Sequence, residues 1–299
     1  MKKRYFRILI GVGIMSFGML LRFYNFDKDN INVLRRVRLS SIRAFLRNKI
    51  LEENPPTLDS ILISQEIKSR LGIEISPLEV RRLVGTLFRH GLISTEYFDV
   101  VTDKGEITGI LKQRNLVHRD GDWHRAASIL VFDENNRLLL QLRASGIAEP
   151  NRWEVSASGH VSSGEEFLEA IQDELLEELG LVVNSERIVK MNLIFRKMGS
   201  PQTQTDYFDK EGIFHYPSVH INNEFLQLYL LKISLSERVQ LEQFIAQGKA
   251  SGVSAVKSVE LEEALGDFRR YPEKYSSAFR HYFSTPSVIE EILKFLGRK

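Results

Sequence analysis

Glu174, Glu177 and Glu178 fall three and four residues apart within a run, from Gly159 to Leu181, that reads GHVSSGEEFLEAIQDELLEELGL. A helix stacks residues at those spacings on one face, with neighbouring Cβ atoms roughly 5–6 Å apart. Like charges so close repel one another, so a surface helix gains nothing from grouping them. A hard divalent cation, which takes carboxylate oxygens together with waters and phosphate oxygens, makes the group favourable. The opposite face is apolar, because Phe167, Ala170, Ile171, Leu175 and Leu179 recur at helical spacing. Gly159 and Gly164 permit the turns of a loop that passes close to a ligand. Glu165 and Glu166 stand where a helix N-terminus favours negative charge, and Gly180 where a C-terminus favours glycine. Whatever fold this chain adopts must bury one side of this helix and present carboxylates on the other.

The stretch resembles the Nudix box, whose pattern is glycine, five residues, glutamate, seven residues, then R-E-U-x-E-E-x-G-U with U aliphatic. Gly159 opens it, Glu165 follows, and Glu174, Leu175, Glu177, Glu178, Gly180 and Leu181 occupy the remaining fixed positions. One position departs: Asp173 stands where the family has an arginine that helps orient a neighbouring glutamate. That change removes no metal ligand. Further segments, EYFDVVTDKGEITG, VHRDGDWHRAA, LLLQLRAS, WEVSASGHV, NNEFLQLYLL and SAVKSVELEEAL, are similar to the branch of the family related to isopentenyl-diphosphate isomerase.

The resemblance implies an α/β (α+β) fold, a Nudix-like mixed β-sheet sandwiched between helices, with a small helical region ahead of it. It implies a hydrolase that cleaves the diphosphate linkage of a nucleoside or prenyl diphosphate with Mg2+ (or Mn2+). Glu174, Glu177 and Glu178 would hold the metal together with the Ser158 carbonyl. Either Glu174 or Glu224 would take a proton from the attacking water; both stay open. Arg143 and Lys112 would grip phosphate oxygens. His118, His124 and His160 lie where the isomerase draws histidine ligands, and so stand for a substrate or second-metal role. Isomerisation itself needs a cysteine and a glutamate on either side of an allylic carbon. The cysteine's place is Ser158, whose hydroxyl is a far weaker acid than a thiol, and the chain has no cysteine at all. The isomerase's Glu-Asn-Glu element becomes Asn222-Asn223-Glu224, one carboxylate short. Hydrolysis is therefore the leading expectation, and isomerase-like activity the alternative. A third reading, supported by Asp173, is a ligand-sensing regulator with a degenerate Nudix domain.

Charge divides the chain unevenly. Residues 1–51 hold twelve Lys and Arg against two Asp, while the rest holds 29 basic and 37 acidic residues, so the formal net of +2 conceals a basic arm on an acidic body. Within the arm, residues 8–21 (ILIGVGIMSFGMLL) are uncharged and bracketed by Arg7 and Arg22. At 14 residues the run is short for a bilayer span, which takes about 20. It reads as a membrane anchor on a cytoplasmic protein, as a targeting segment, or as a buried helix.

Punctuation suggests three regions: the arm (1–53), a helical pair (54–94) and a Nudix-like domain (95–299). Gly72 ends the first helix of the pair, and Ser76-Pro77-Leu78-Glu79 starts the second with a capping box. With Arg81, Arg82 and Arg89 on its second helix, the pair has the outline of a helix-turn-helix, although so few basic residues make nucleic acid an improbable partner. Beyond it, hairpins are expected at 97–111 and 127–142, strands near 189–195 and 225–233, and helices near 236–246 and 259–265.

Overall fold

The computed structural model describes residues 28–197 and 219–298, with three two-residue strands between them. The uncharged run at 8–21 lies outside the described residues. Among those described, no helix is long and apolar enough to cross a membrane.

Helix α1 (Lys28–Glu53) sends Ile42, Leu46 and Ile50, spaced by four, into a core shared with two further helices. Basic residues on its outer face hide that stripe from a charge count. Strand β1 (Thr57–Asp59) leads into α2 (Ser60–Leu71), whose first turn is capped by the Asp59 carboxylate accepting from Ile61 N and Leu62 N. Helix α3 (Pro77–Arg89) carries the expected capping box between Ser76 and Glu79. Its Val80, Leu83, Val84 and Leu87 meet Ile63 and Ile67 of α2. The hairpin β2 (Tyr97–Val101) and β3 (Ile107–Gln113) then joins β1 in an antiparallel sheet ordered β1-β3-β2. These elements follow one another in the order α1-β1-α2-α3-β2-β3. Tyr97 and Leu111 of the hairpin belong to the same core.

A short helix α4 (Arg114–Asp120) precedes a seven-stranded mixed sheet. Its strands come in the order β4 (His124–Phe132), β5 (Leu138–Arg143), β6 (Trp153–Glu154) and β7 (Ala157–His160), after which the box forms α5 (Phe167–Leu179). Strand β8 (Val189–Lys197) follows, then four two-residue strands, β9 (Gln202–Thr203), β10 (Tyr207–Phe208), β11 (Phe214–His215) and β12 (Val219–His220), in two pairs of their own. Strand β13 (Glu224–Lys232) returns to the sheet, α6 (Leu235–Ala246) crosses it, and β14 (Val253–Val259) closes the edge. Helices α7 (Leu261–Arg270), α8 (Ser277–Phe283) and α9 (Pro286–Phe295) complete the chain. The backbone of the sheet runs β14-β5-β4-β13-β8, with β6 on β5 and β7 on β4.

The expected mixed sheet between helices is what the chain forms. Alternate residues of a strand face opposite sides, so a strand covered on both faces is apolar throughout. In β4, Ala126, Leu130 and Phe132 enter a core with α7, α8 and α9, while Ala127, Ile129 and Val131 enter one with α5 and α6. Only one register pair, Phe132 with Leu138, joins β4 to β5. The hairpin expected there does not extend further, because β7 takes the β4 edge from Ala126 to Ile129. The helix expected from Val259 begins at Leu261, since Val253–Val259 pairs with β5 instead.

Candidate active site

Helix α5 turns its apolar residues Ala170, Ile171, Leu175 and Leu179 into the core and lays its glutamates against β7. Glu178 Oε2 accepts from Ser158 N at 3.0 Å and from Gln141 Nε2 at 3.2 Å. Glu174 lies so close to Gly159 that a Cβ there would fall 1.6 Å from its Oε1. Burial pushes the carboxyl of Glu178 well above the usual range, and the two hydrogen bonds only partly oppose it. Glu174 is raised by burial first and then by the charges of Glu178, Glu177 and Glu96. Glu177 is more exposed and is raised by burial, Asp173 and Glu96. Three carboxyls gathered with so little positive charge are an unfavourable group on their own. That is the electrostatic signature of a site shaped for a cation, and the donors are all hard oxygens, which suits Mg2+ or Mn2+.

The three histidines expected to matter also converge. Ligand atoms of His118, His124 and His160 lie within 4.8 Å of one another. His118 Nε2 and His160 Nε2 are 3.3 Å apart, and Glu224 Oε1 lies 3.3 Å from His160 Nε2. His124 Nδ1 donates to the Asp122 carbonyl at 3.0 Å, which leaves a lone pair on Nε2. That Nε2 is buried without a hydrogen-bond partner. Burial, then His160, pushes the His124 imidazole down to about 4, so it stays neutral, the form that ligates metal. The parallel pairing of β13 with β4 sets Glu224 directly beside His124. Phe98 of β2 closes the cluster, stacking 5.4 Å from His124 and 4.9 Å from His160. An orphaned buried nitrogen among three imidazoles and a carboxylate fits a second divalent cation.

The proposed phosphate grips are less open than the sequence suggests. Lys112 Nζ sits 2.6 Å from Asp120 and 2.5 Å from Asp122, so two carboxylates already share its charge. Arg143 donates from Nε to the Ala148 carbonyl at 2.8 Å and approaches Glu154 at 3.3 Å. Its charge also reaches Glu178, which keeps it beside the glutamate face.

Several residues matter that sequence reasoning passed over. Gln141 donates to Glu178, and the charge of Glu154 bears on it. Glu96 accepts from Ser162 Oγ at 3.0 Å, pairs with Arg114 at 3.0 Å, and bears on both Glu174 and Glu177. The loop of the box is held by Asp99, 1% exposed, whose Oδ2 accepts from Arg81 at 2.8 Å, Arg125 at 3.0 Å and Gly164 N at 3.0 Å. Arg81 is thus buried in an ion pair and turned away from solvent, which removes it from any nucleic-acid face.

Raised carboxyls give a stability test with a definite sign. The folded protein holds protons on Glu174, Glu178 and Glu165 (the last pushed up to about 7, chiefly by burial) that the unfolded chain releases near 4.5. The contribution is therefore fully present below 4.5 and is lost as pH rises through the higher folded values. Metal-free protein should lose stability from about pH 5 to beyond neutral, and Mg2+ should abolish the decline at the upper end. A thermal midpoint that rises over this interval without metal would refute the assignment.

Comparison with known proteins agrees with the geometry. Residues 122–279, just over half of the chain, match the family model described as the NUDIX domain. Nudix hydrolase 3 of Arabidopsis thaliana is 36% identical over 192 residues, which are 64% of this chain and 22% of that protein. An isopentenyl-diphosphate Delta-isomerase of Clavibacter sepedonicus is 34% identical over 103 residues, 34% of this chain and 54% of that one. A prenyl-diphosphate phosphatase of Methanosarcina mazei is 35% identical over 94 residues, 31% of this chain and 55% of that one. The chain thus spans between about a fifth and about half the length of these relatives.

Proposed function

The chain belongs to the Nudix family, and on that premise we propose that it is a divalent-metal-dependent pyrophosphohydrolase acting on a prenyl or nucleoside diphosphate. The observation that carries the reading is the packing of Glu174 and Glu178 against the Ser158–Gly159 strand, two half-buried carboxyls beside an exposed third. Bound there, Mg2+ or Mn2+ neutralises phosphate charge and makes a water more acidic. The protein's own groups do the rest. Glu177 and Glu178, with the Ser158 carbonyl, would serve as ligands, and Ser158 N and Gln141 fix the direction of the Glu178 carboxylate. We assign proton acceptance to Glu174, whose carboxyl burial and the neighbouring acids raise, making it a stronger base than an ordinary carboxylate; Glu224 faces His160 instead. Arg143 is the better placed of the two phosphate grips, since Lys112 is neutralised by Asp120 and Asp122.

The histidine cluster fits the isomerase resemblance, but Ser158 in the acid's position does not. A serine hydroxyl cannot donate a proton to an alkene as a thiol can. The similarity to a prenyl-diphosphate phosphatase supports the prenyl side of the proposal. Purified protein incubated with a panel of prenyl and nucleoside diphosphates should release phosphate or a monophosphate only with Mg2+ or Mn2+, and EDTA should end the release. No turnover of any member with either ion would defeat the enzyme reading. Proton exchange into isopentenyl diphosphate without phosphate release would favour the isomerase instead.

A further inference from the structure

The box helix lacks the cation its family places at 173, and the N-terminal unit brings one to the same spot. Glu165 Oε2 accepts from Ser162 N at 2.9 Å, closing the turn just before α5. Its carboxyl also meets that of Asp173, the residue next to Glu174. When both are ionised, two acids so placed, one on the loop and one on the helix, repel each other, and positive charge beside them relieves the repulsion. That charge comes from the last turn of α3, where Arg89 Nη1 lies 3.4 Å from Glu165 Oε1. Arg89 is therefore directed into the box from outside the family domain, which begins at 122.

The approach is built into the backbone. A Cβ on Gly85 of α3 would lie 2.3 Å from the Ser163 carbonyl oxygen, and one on Gly164 would lie 2.3 Å from Arg82 N. Each glycine makes room for the other segment's backbone, so α3 and the loop interlock. Ser163 Oγ donates to the Arg81 carbonyl at 3.0 Å, and Arg82 Nε donates to the Gly164 carbonyl at 3.3 Å.

We propose that Arg89 is a positioning residue of the hydrolase: from α3 it supplies the cation that Asp173 withholds, and so makes the N-terminal unit part of the scaffold that keeps Glu174, Glu177 and Glu178 aligned. The inference rests on the hydrolase reading for its kinetic consequence and on geometry alone for its structural one. The full chain carries the test, as parent, Arg89→Ala, Arg89→Lys, Asp173→Arg and the Arg89→Ala/Asp173→Arg double variant. Arg89→Ala should lower kcat about tenfold, the scale on which loss of a residue behind a metal ligand acts. KM should change by less than about twofold, since substrate contacts are untouched. Arg89→Lys should keep most of the activity, because an ammonium still balances the two acids. Asp173→Arg placed on Arg89→Ala should return kcat to within about threefold of the parent, because the helix then carries its own cation.

Thermal unfolding of the same proteins without metal provides the second readout. The midpoint should fall in Arg89→Ala and recover in the double variant. The proposal is overturned if the double variant is no better than Arg89→Ala in both measurements, or if Arg89→Ala equals the parent in both. A parent that hydrolyses nothing overturns the functional reading only, and the metal-free melts then decide the role of Arg89.

Discussion

Replacing Glu178 by glutamine should lower kcat by roughly a hundredfold or more, since even a residue behind a metal ligand is worth about 10–100-fold. The same change should leave the metal-free protein at least as stable as the parent. Glu178 is half-buried, receives Ser158 N and Gln141, and carries a carboxyl held high by burial. Glutamine keeps an oxygen for both donors and removes a carboxyl whose ionisation burial disfavours. What it cannot do is hold a divalent cation as an anionic ligand. Opposite movements of activity and thermal midpoint separate a functional acid from a structural one. Unchanged turnover, or a variant that melts early without metal, would show that Glu178 serves the fold.

Gly159→Ala should cost about 10²-fold in kcat, the penalty for shifting a reacting group by an ångström, with little change in stability. The new methyl would coincide with the Glu174 carboxylate, 1.6 Å from Oε1. The obstacle is the flexible end of a side chain, so Glu174 swings aside and the backbone stays. Gly159 lies within strand β7, opposite Ala127, and its φ is not among the positive values, so alanine suits its conformation. Because the damage passes through Glu174, adding Glu174→Gln should cost little more. If the two losses multiply, Gly159 acts by another route. A collapse of the melting transition would point to the fold.

The box was legible because its signal is local: charge, apolar stripe and caps all lie within one helix and its flanks. The histidine cluster was visible through resemblance, and its members do meet, though β13 must cross beside β4 to bring Glu224 to them. The rest depended on neighbours that no spacing reveals. Gln141 and Glu154 look like ordinary strand polar residues until β5 and β6 lie beside α5. Turn residues at 133–137 announce that β4 and β5 are adjacent, but not that β7 will displace their pairing. Arg81 and Arg89 were noticed as basic residues on a helix-turn-helix. Their true targets, Asp99 and Glu165, come from other elements. The apolar stripe of α1 was masked by the arginines around it, and α8 and α9, seven and ten residues long, carry too few turns to stand out.

The side-by-side run of β4 and β13 has a consequence for how such a protein can diversify. Nine consecutive residues are matched one to one, from Glu224 beside His124 to Lys232 beside Phe132. Sliding either strand by one position would set Asn223 or Phe225 beside His124 in place of Glu224 and invert every inward and outward residue, so alignment is fixed by the whole length. Insertions or deletions in the connections that lead into these strands then leave the imidazole–carboxylate geometry as it was. Evolution can therefore remodel the surrounding rim while the imidazole–carboxylate cluster is inherited unchanged.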